Sequence, residues 1–298
     1  MLIQVDTEER IMLRLFFAIA LMAHAGSQLL AADKPLKVFI LAGQSNMVGR
    51  GNNLELDAGL SKGNDRVLMF EKGKWQPLKP VKKAQKFQEK LGLTEFSFGP
   101  EIAFAHEIAK AWPDERIGIV KFAIGGTSIL TWRPDWSKED AHRVGQARMG
   151  SLYKALMSKV AQARKAEEVD FVGVLWLQGG SDMLHFEVAK EYSTHLKALI
   201  TSIRKDTKVA QLPFLCGSMR RKQDPADLSD LVPKRVKGRY AGAEFVLKAQ
   251  WDMQSDIKNT RTVILRSIET HPKNVHFNTA GQLEVGKLFA KEFLEMTK

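Results

Sequence analysis

The chain has 298 residues, of which 44% are hydrophobic and 27% charged, a balance typical of globular domains that excludes collagen-like and intrinsically disordered proteins. Lysine and arginine number 45 against 34 acidic residues, a net charge of +11, which favours anionic partners or surfaces. Cys216 is the only cysteine, so the chain can form neither an internal disulfide nor a cysteine-based zinc site.

The first 32 residues have the pattern of a secretory signal peptide. An apolar run at residues 13–23 carries Arg14 near its start and is followed by small residues. The run is too short to cross a bilayer comfortably. Residues 1–11 are polar and acidic, which suggests that Met12 is the true start. We therefore expect an exported protein whose single domain covers residues 33–298 and has no membrane span; the alternative is a buried N-terminal helix.

Strand-like and helix-like segments alternate along the rest of the chain. Five apolar runs have the composition of buried strands, at residues 37–42, 117–122, 171–177, 212–216 and 262–265. Helical periodicity predicts five helices, at residues 99–112, 152–166, 188–204, 238–257 and from 279 onward. This alternation predicts an α/β domain with a mostly parallel five-stranded sheet, covered by helices on both faces. Residues 48–98 and 127–150 are expected to be long surface loops.

Three glycine-bearing turns follow these strands, at the edge where open parallel sheets bind ligands. Their sequences are GQSNM at 43–47, GGTS at 125–128 and QGGSD at 178–182. A serine in a tight strand-to-helix turn, here Ser45, exposes its hydroxyl beside backbone N–H groups. Gln178 can offer a side-chain amide. Taken singly, the serine turn is equally typical of an ordinary helix cap, and the glycine pair of a tight βα turn.

A histidine stands directly before the last predicted helix. His276 lies in the segment NVHFN at 274–278, and in a chain with a strand-end serine it is a candidate general base. His271 lies five residues earlier, but no further ligand type is nearby. We therefore expect no metal site.

In this order the blocks resemble the SGNH or GDSL-like hydrolase superfamily, and specifically its branch of sialate O-acetylesterases and acetylxylan esterases. The resemblance rests on GQSNM at 43–47, GPE at 99–101, GGTS at 125–128, QGGSD at 178–182 and VHF at 275–277. It covers essentially all of the chain after residue 32. It implies a flavodoxin-like three-layer α/β/α fold and a serine esterase without a cofactor, which acts on an acetylated carbohydrate.

The resemblance also implies a role for each matching residue. Ser45 would be the nucleophile and His276 the general base. The oxyanion hole would combine the Ser45 N–H, an N–H of the Gly125-Gly126 turn and the side-chain amide of Gln178. His276 would take the Ser45 proton as the hydroxyl attacks an acetyl carbonyl, and water would then release acetate from the acyl-enzyme.

Two positions depart from the family pattern. The family usually has an aspartate three residues before the histidine, where this chain has Lys273. Glu269 is the nearest upstream carboxylate and a candidate for orienting His276; a backbone carbonyl, a Ser–His dyad and an impaired enzyme are alternatives. Gly180 stands where the branch usually has glutamate. Besides the acetylesterase, a catalytically impaired glycan-binding protein and a serine esterase for lipids or other small esters therefore stay open.

Two tryptophans and a group of cations are weaker candidates for sugar contact. Trp132 and Trp136 could stack on a sugar ring, or pack their loop onto the domain. A basic run could attract an acidic glycan, although such runs are more often solvated surface; its members are Lys79, Lys82, Lys83, Lys86 and Lys90. Three further cations follow the fourth strand, closer to the expected site: Arg220, Arg221 and Lys222. No nucleic-acid-binding module is recognisable.

Overall fold

The structure is a computed structural model that describes residues 34–83, 88–219 and 240–298. Several predictions of the sequence analysis fall outside these described residues. They are the signal peptide at 1–32, Lys86, and the cations Arg220, Arg221 and Lys222.

Ten strands form in the described part of the chain. They are β1 (Leu36–Gly43), β2 (Gly51–Asn52), β3 (Val67–Glu71), β4 (Lys74–Pro77), β5 (Val81–Lys82), β6 (Phe96–Phe98), β7 (Ile117–Ala123), β8 (Val169–Leu177), β9 (Phe214–Ser218) and β10 (Thr260–Ile264). Seven of them make the central sheet, in the order β10-β9-β8-β1-β7-β3-β4. Every pairing in it is parallel except β3 with β4. Strands β2, β6 and β5 form a small antiparallel sheet.

Eight α-helices form in the described segments. They are α1 (Ser45–Val48), α2 (Ala58–Ser61), α3 (Glu101–Ala111), α4 (Lys138–His142), α5 (Leu152–Ala166), α6 (Phe186–Thr207), α7 (Ala243–Asp256) and α8 (Thr279–Met296). The five helices predicted from periodicity correspond to α3, α5, α6, α7 and α8. Three short 3-10 helices add to them, at Asn53–Glu55, Ile129–Trp132 and Asp182–Leu184.

The alternation of side chains along β1 divides the interior into two cores. Val38 and Ile40 point to one face of the sheet, where they join the cluster formed with α5, α6 and α7. Phe39 and Leu41 point to the other face and join the cluster formed with α3 and α8. All four side chains are fully buried. A strand buried on both faces explains the uninterrupted apolar run, and the predicted three-layer α/β/α arrangement is confirmed.

The sheet is wider than predicted. The five predicted strands are its contiguous members β7, β1, β8, β9 and β10, but β3 and β4 extend it on one side. Both belong to the stretch 48–98 that was expected to be a surface loop. Lys72 and Gly73 join them with φ values of 52° and 79°, the positive values that a two-residue hairpin turn requires. The stretch 127–150 also differs from a surface loop, because the 3-10 helix Ile129–Trp132 within it is buried.

Three strand ends meet at one point of the sheet. Gly43, the last residue of β1, is in register with Ala123 of β7 on one side and Leu177 of β8 on the other. Gly43 has φ +147°, and a side-chain Cβ there would lie 2.2 Å from the Leu177 carbonyl oxygen. Glycine is therefore required where the chain leaves the sheet and enters the serine turn.

Candidate functional site

The strand ends open into a cavity of about 910 Å³, a size that suits a small-molecule ligand. Residues from four of the five blocks that carry the resemblance line it, and the GPE block at 99–101 does not. Ser45, Gly125, Gly126, Gln178 and His276 are among its lining residues. The structure thus brings the predicted nucleophile, base and oxyanion turn to one place.

Ser45 is the first residue of α1 and directly follows Gln44, whose backbone still bonds the sheet. The N–H of Gln44 donates to Leu177 O at 2.9 Å, and helix α1 then begins at Ser45. The Gly125 backbone lies close to Ser45: a Cβ atom at Gly125 would be 3.7 Å from the Ser45 Cβ. The backbone N–H groups of this helix start and of the neighbouring glycine turn can therefore serve one developing negative charge.

His276 is held by the residue two positions before it. The Oδ1 atom of Asn274 lies 2.7 Å from His276 Nδ1. The same oxygen accepts the backbone N–H of Val275 at 2.8 Å and that of His276 at 3.1 Å. An amide side chain thus contacts the imidazole nitrogen that a carboxylate usually contacts in serine hydrolases.

The predicted orienting residue, Glu269, does not make this contact. Its carboxylate accepts a hydrogen bond from Asn278 Nδ2 at 3.1 Å, and Asn274 is the residue at Nδ1 of His276. Lys273 is exposed, in a left-handed turn with φ 53°.

Asn46 connects the histidine loop to the serine turn. Its Nδ2 donates to Val275 O at 3.2 Å, and its Oδ1 accepts the Phe277 N–H at 3.0 Å. His276 lies between these two residues, and Asn46 directly follows Ser45. Two side-chain hydrogen bonds therefore set the position of the base relative to the nucleophile.

Gln178 lines the cavity, and the hydrogen-bonding groups of its side chain all contact other protein groups. Its Nε2 donates to Thr127 O at 2.8 Å and to the carboxylate of Asp182, and its Oε1 accepts from the Tyr192 hydroxyl at 3.0 Å. An amide has two N–H donors, and both have acceptors here. The side chain therefore joins the GGTS turn to β8 and α6 in this structure, and these bonds do not support the prediction that Gln178 donates to the oxyanion.

Asp182 is the buried centre of that network. Besides Gln178, it accepts the Ser128 hydroxyl and the Ile129 N–H. Burial raises the pKa of Asp182 to about 6, against the lowering effect of these hydrogen bonds. The carboxylate fixes the turn that carries Gly125 and Gly126 rather than facing the cavity.

Gln44 and Gly180 form one wall of the cavity. The Oε1 atom of Gln44 accepts the N–H groups of Gly179 at 3.1 Å and Ser181 at 3.3 Å. These donors fix the amide, and its Nε2 lies 3.3 Å from where a Cβ of residue 180 would stand. The absence of a side chain at Gly180 therefore leaves an amide donor at the cavity wall.

The surroundings of His276 favour its neutral form. Burial lowers the pKa of His276, and the positive charges of Arg50 and His271 lower it further. Arg50 is itself a lining residue of the cavity, and its carbonyl oxygen lies 2.9 Å from His271 Nε2. A histidine that is unprotonated near neutral pH can accept a proton from a serine.

The two tryptophans do not reach the cavity. Trp132 is fully buried, and its Nε1 donates to Thr127 Oγ1 at 3.1 Å. Its ring makes T-shaped contacts with Phe122 and Trp176, so the prediction that it stacks on a sugar is wrong. Trp136 is half-buried and is not among the residues that line the cavity.

The basic run lies away from the cavity where it is described. Lys82 is exposed and pairs with Glu95 at 2.7 Å. Lys83 turns inward, and its Nζ donates to Val48 O at 3.0 Å, at the end of α1. Burial, followed by the charge of Lys121, lowers the pKa of Lys83 to about 7. These lysines support the serine helix or face solvent, and none lines the cavity.

Within residues 34–83, 88–219 and 240–298, no group of three or more His, Cys, Asp or Glu side chains could hold a metal ion. In the same segments, no helix is long and apolar enough to cross a membrane.

Sequence reasoning missed Asn46, Gln44, Asn274 and Asp182. All four lie inside or next to the quoted blocks, but the sequence does not show which groups their side chains bond. Asn274 had a more specific signal, because an asparagine commonly bonds the backbone two residues on, and here that residue is the histidine.

Comparison with known proteins finds similar sequences and structures. The family model described as carbohydrate esterase, sialic acid-specific acetylesterase, matches residues 35–295. A probable carbohydrate esterase of Arabidopsis thaliana is 24% identical over 270 residues, which span 87% of this chain and 91% of that protein. An X-ray structure of an A. thaliana protein matches with a TM-score of 0.64 and 22% identity, over 88% of this chain and 99% of the other. A carbohydrate acetylesterase from Xanthomonas citri matches with a TM-score of 0.56 and 18% identity, over 85% of this chain and 55% of its own. These structures share the fold of this chain.

Proposed function

Because this chain belongs to the carbohydrate esterase, sialic acid-specific acetylesterase family, we propose that it is a serine esterase that removes O-acetyl groups from a carbohydrate. One observation carries the proposal most strongly. Ser45 and His276, from opposite ends of the domain, line the same cavity, and Asn46 bonds the backbone on both sides of the histidine.

The reaction follows the pattern of serine hydrolases. His276 takes the proton of the Ser45 hydroxyl while the serine oxygen attacks the acetyl carbonyl carbon. The alcohol of the sugar leaves with that proton, and the acetyl group stays on Ser45. Water, deprotonated by His276, then attacks the acyl-enzyme and releases acetate.

Backbone donors hold the oxyanion in this proposal. The N–H of Ser45 lies at the start of α1, and the N–H groups of Gly125 and Gly126 lie in the turn beside it. Gln178 is not among the donors, because its amide hydrogens bond Thr127 and Asp182. Donors of this kind typically contribute about 2.7–4 kcal/mol each to the transition state.

The test of this proposal is release of acetate from defined substrates. We would incubate the full chain with O-acetylated sialic acid, acetylated xylan oligosaccharides and p-nitrophenyl acetate. The Ser45→Ala variant serves as the blank. Acetate release from at least one acetylated sugar, lost in Ser45→Ala, supports the proposal; tight binding of these sugars without turnover supports the impaired glycan-binding alternative and contradicts the esterase.

The substrate is proposed to include an acidic glycan. The chain carries a net charge of +11, and Arg50 lines the cavity. Long-range attraction of this kind is screened by salt. KM for an acidic acetylated glycan should therefore rise with ionic strength, while KM for a neutral one should not; equal salt dependence of the two contradicts this part of the proposal.

A second candidate substrate class is suggested by the cavity's outer lining. Leu184, Met219 and Val275 line it and are 42%, 46% and 65% exposed. Exposed apolar groups at a site favour a ligand with an apolar part. Esters of aryl or alkyl alcohols would then be turned over with a higher kcat/KM than acetylated sugars, and the same substrate panel distinguishes the two candidates.

We also propose that the protein is exported, because residues 1–32 have the order of a signal peptide. Fractionation of cells followed by N-terminal sequencing tests this. A mature N-terminus near residue 33 in the exported fraction is the expected result, and an unprocessed chain inside the cell contradicts it.

A further inference from the structure

We propose that Asn274 is a neutral positioning residue that fixes His276 in the tautomer with its proton on Nδ1 and its lone pair on Nε2. The inference rests on the proposed function, in which His276 is the general base. It differs from the usual arrangement of the family, because the acceptor carries no charge and comes two residues before the histidine.

The identity of the atom facing the imidazole follows from its other partners. Asn274 Oδ1 lies 2.8 Å from the Val275 N and 3.1 Å from the His276 N. Backbone N–H groups only donate hydrogen bonds, so the amide atom between them must be an acceptor. Rotating the amide by 180° would set its NH₂ group against two N–H donors. The oxygen is therefore locked in place.

The tautomer of the imidazole follows in turn. His276 Nδ1 lies 2.7 Å from this locked oxygen, and only a protonated nitrogen can bond an acceptor at that distance. In neutral histidine one ring nitrogen carries the proton and the other is basic. The contact therefore places the basic lone pair on Nε2, the nitrogen that takes the nucleophile's proton in serine hydrolases.

The two backbone bonds distinguish Asn274 from an asparagine that simply replaces a triad aspartate. In a serine protease such a replacement lowers kcat by about 10⁴-fold, because the amide stabilises the wrong tautomer. An amide that can rotate freely can turn its NH₂ group toward Nδ1. Nδ1 then accepts a hydrogen bond and carries no proton, so the proton is on Nε2 instead. In this chain the bonds from the Val275 and His276 N–H groups to Asn274 Oδ1 prevent the amide from rotating. An uncharged side chain can therefore orient the imidazole as a carboxylate does in other serine hydrolases.

Position and tautomer are set by different residues. Asn46 holds the backbone at Val275 and Phe277 and does not touch the ring through these bonds. Asn274 contacts the ring itself. Loss of Asn274 should therefore change the ring's tautomer and the chemical step more than it changes substrate binding.

Three variants at position 274 separate the ring contact from the backbone turn. Asn274→Ser keeps an oxygen that can accept the backbone N–H two residues on, but it is too short to reach Nδ1. Asn274→Asp keeps both the turn and the ring contact and adds a negative charge. Asn274→Ala removes all of them.

The experiment combines ¹⁵N NMR of the histidine ring nitrogens with steady-state kinetics. The His276 signals are assigned by comparison with the His276→Gln variant, since the chain has seven histidines. We expect the Nδ1–H tautomer in the wild type and in Asn274→Asp, and loss of its dominance in Asn274→Ser and Asn274→Ala. We expect kcat to fall about tenfold to a hundredfold in the Ser and Ala variants, as for loss of one orienting hydrogen bond, with KM nearly unchanged.

The pH dependence of kcat in Asn274→Asp would not change if the role of residue 274 were purely structural. A carboxylate beside the ring favours the imidazolium, so the acid limb of its pH–kcat profile should shift to higher pH while its plateau rate is retained. The charges of Arg50 and His271, which lower the pKa of His276, are kept in every variant at position 274, so their effect is common to all.

The possible results separate this inference from the proposed function. A dominant Nε2–H tautomer in the wild type, or an unchanged tautomer and kcat in Asn274→Ser, overturns the inference even if the esterase is active. The predicted tautomers in a wild type that hydrolyses no ester overturn the proposed function and leave the orienting role of Asn274 supported.

Discussion

Asn46 holds His276 by bonding the main chain of both its neighbours. Its Nδ2 donates to Val275 O at 3.2 Å, and its Oδ1 accepts the Phe277 N–H at 3.0 Å. Because Asn46 follows Ser45 in α1, any movement of the serine turn carries the histidine loop with it. The separation of nucleophile and base is thus fixed within one small hydrogen-bonded unit, although the residues come from opposite ends of the domain.

Replacement of Asn46 by alanine should lower kcat without unfolding the protein. A displacement of a catalytic group by about 1 Å can cost roughly 10²-fold in rate, so we expect a loss of about tenfold to a hundredfold on p-nitrophenyl acetate. Asn64→Ala is the matched control, because Asn64 accepts the N–H groups of Arg66 and Val67 away from the cavity. A kcat for Asn46→Ala equal to that of the control would contradict the account.

The pH dependence of the reaction should report the lowered pKa of His276. The base must be unprotonated, so kcat/KM rises as pH increases through this pKa. Burial first, and then the charges of Arg50 and His271, place it below the ordinary value of 6.5. The acid limb of the profile should therefore lie below pH 6.5, and Arg50→Gln should move it to higher pH by removing one positive charge.

The exposed Arg148 supplies the matched control for that shift. Arg148→Gln removes the same charge without altering the surroundings of His276, and its acid limb should coincide with that of the wild type. An Arg50→Gln profile that also coincides with the wild type would show that this charge does not act on the base.

Two glycines of the site should lose stability to very different extents when replaced by alanine. At Gly43, with φ +147°, a Cβ would lie 2.2 Å from the backbone oxygen of Leu177, so Gly43→Ala should lower the free energy of unfolding by about 2–4 kcal/mol. At Gly180 the nearest atom is the side-chain Nε2 of Gln44, at 3.3 Å, which can move, so Gly180→Ala should cost less than about 1 kcal/mol. Urea denaturation of both variants measures this, and equal losses would be inconsistent with the geometry.

A buried ion pair beneath α1 should be essential for stability. Lys121 Nζ lies 2.5 Å from the Glu101 carboxylate, with side chains only 9% and 3% exposed, and it also donates to Val48 O at the end of α1. Glu101→Gln leaves a buried charge without its partner, which typically costs about 3–5 kcal/mol. Urea denaturation at pH 7 should show this loss.

Removing both charges of this pair is the control. Glu101→Leu combined with Lys121→Met replaces the pair by apolar groups, and its free energy of unfolding should lie closer to that of the wild type. Because burial lowers the pKa of Lys121, raising the pH should reduce the loss in Glu101→Gln as the lysine gives up its proton. A loss that is independent of pH would mean that the uncompensated charge is not its cause.

The strands that sequence reasoning found are those buried on both faces. Runs made mostly of apolar residues are a signal in themselves, and they locate β1, β7, β8, β9 and β10, even though β7 also carries the buried Lys121. Strand β3 carries such a run at 67–70, but it is short and charged residues flank it. Strand β4 is a half-exposed edge strand, and the Lys72-Gly73 turn that joins the two has a less common sequence than Asn-Gly.

The site could be predicted only as far as each role depends on local sequence. Ser45 and His276 follow strands or precede helices in recognisable blocks, and both line the cavity. The role of Gln178 depended on Asp182 and Tyr192, which take up its hydrogen-bonding groups in the folded chain. The orienting residue was sought as a carboxylate, and the neutral Asn274 makes the contact because its turn places an amide oxygen at the ring.

The central claim is that Ser45 and His276 together carry the reaction. The most direct measurement is p-nitrophenyl acetate hydrolysis by the wild type, Ser45→Ala and His276→Ala, with the exposed Ser158→Ala and His142→Ala as matched controls. We predict that each site variant loses about 10³-fold or more in kcat, since nucleophile and base act as a unit, and that both controls retain the wild-type rate. A Ser45→Ala or His276→Ala variant that hydrolyses the ester within tenfold of the wild type would contradict the account.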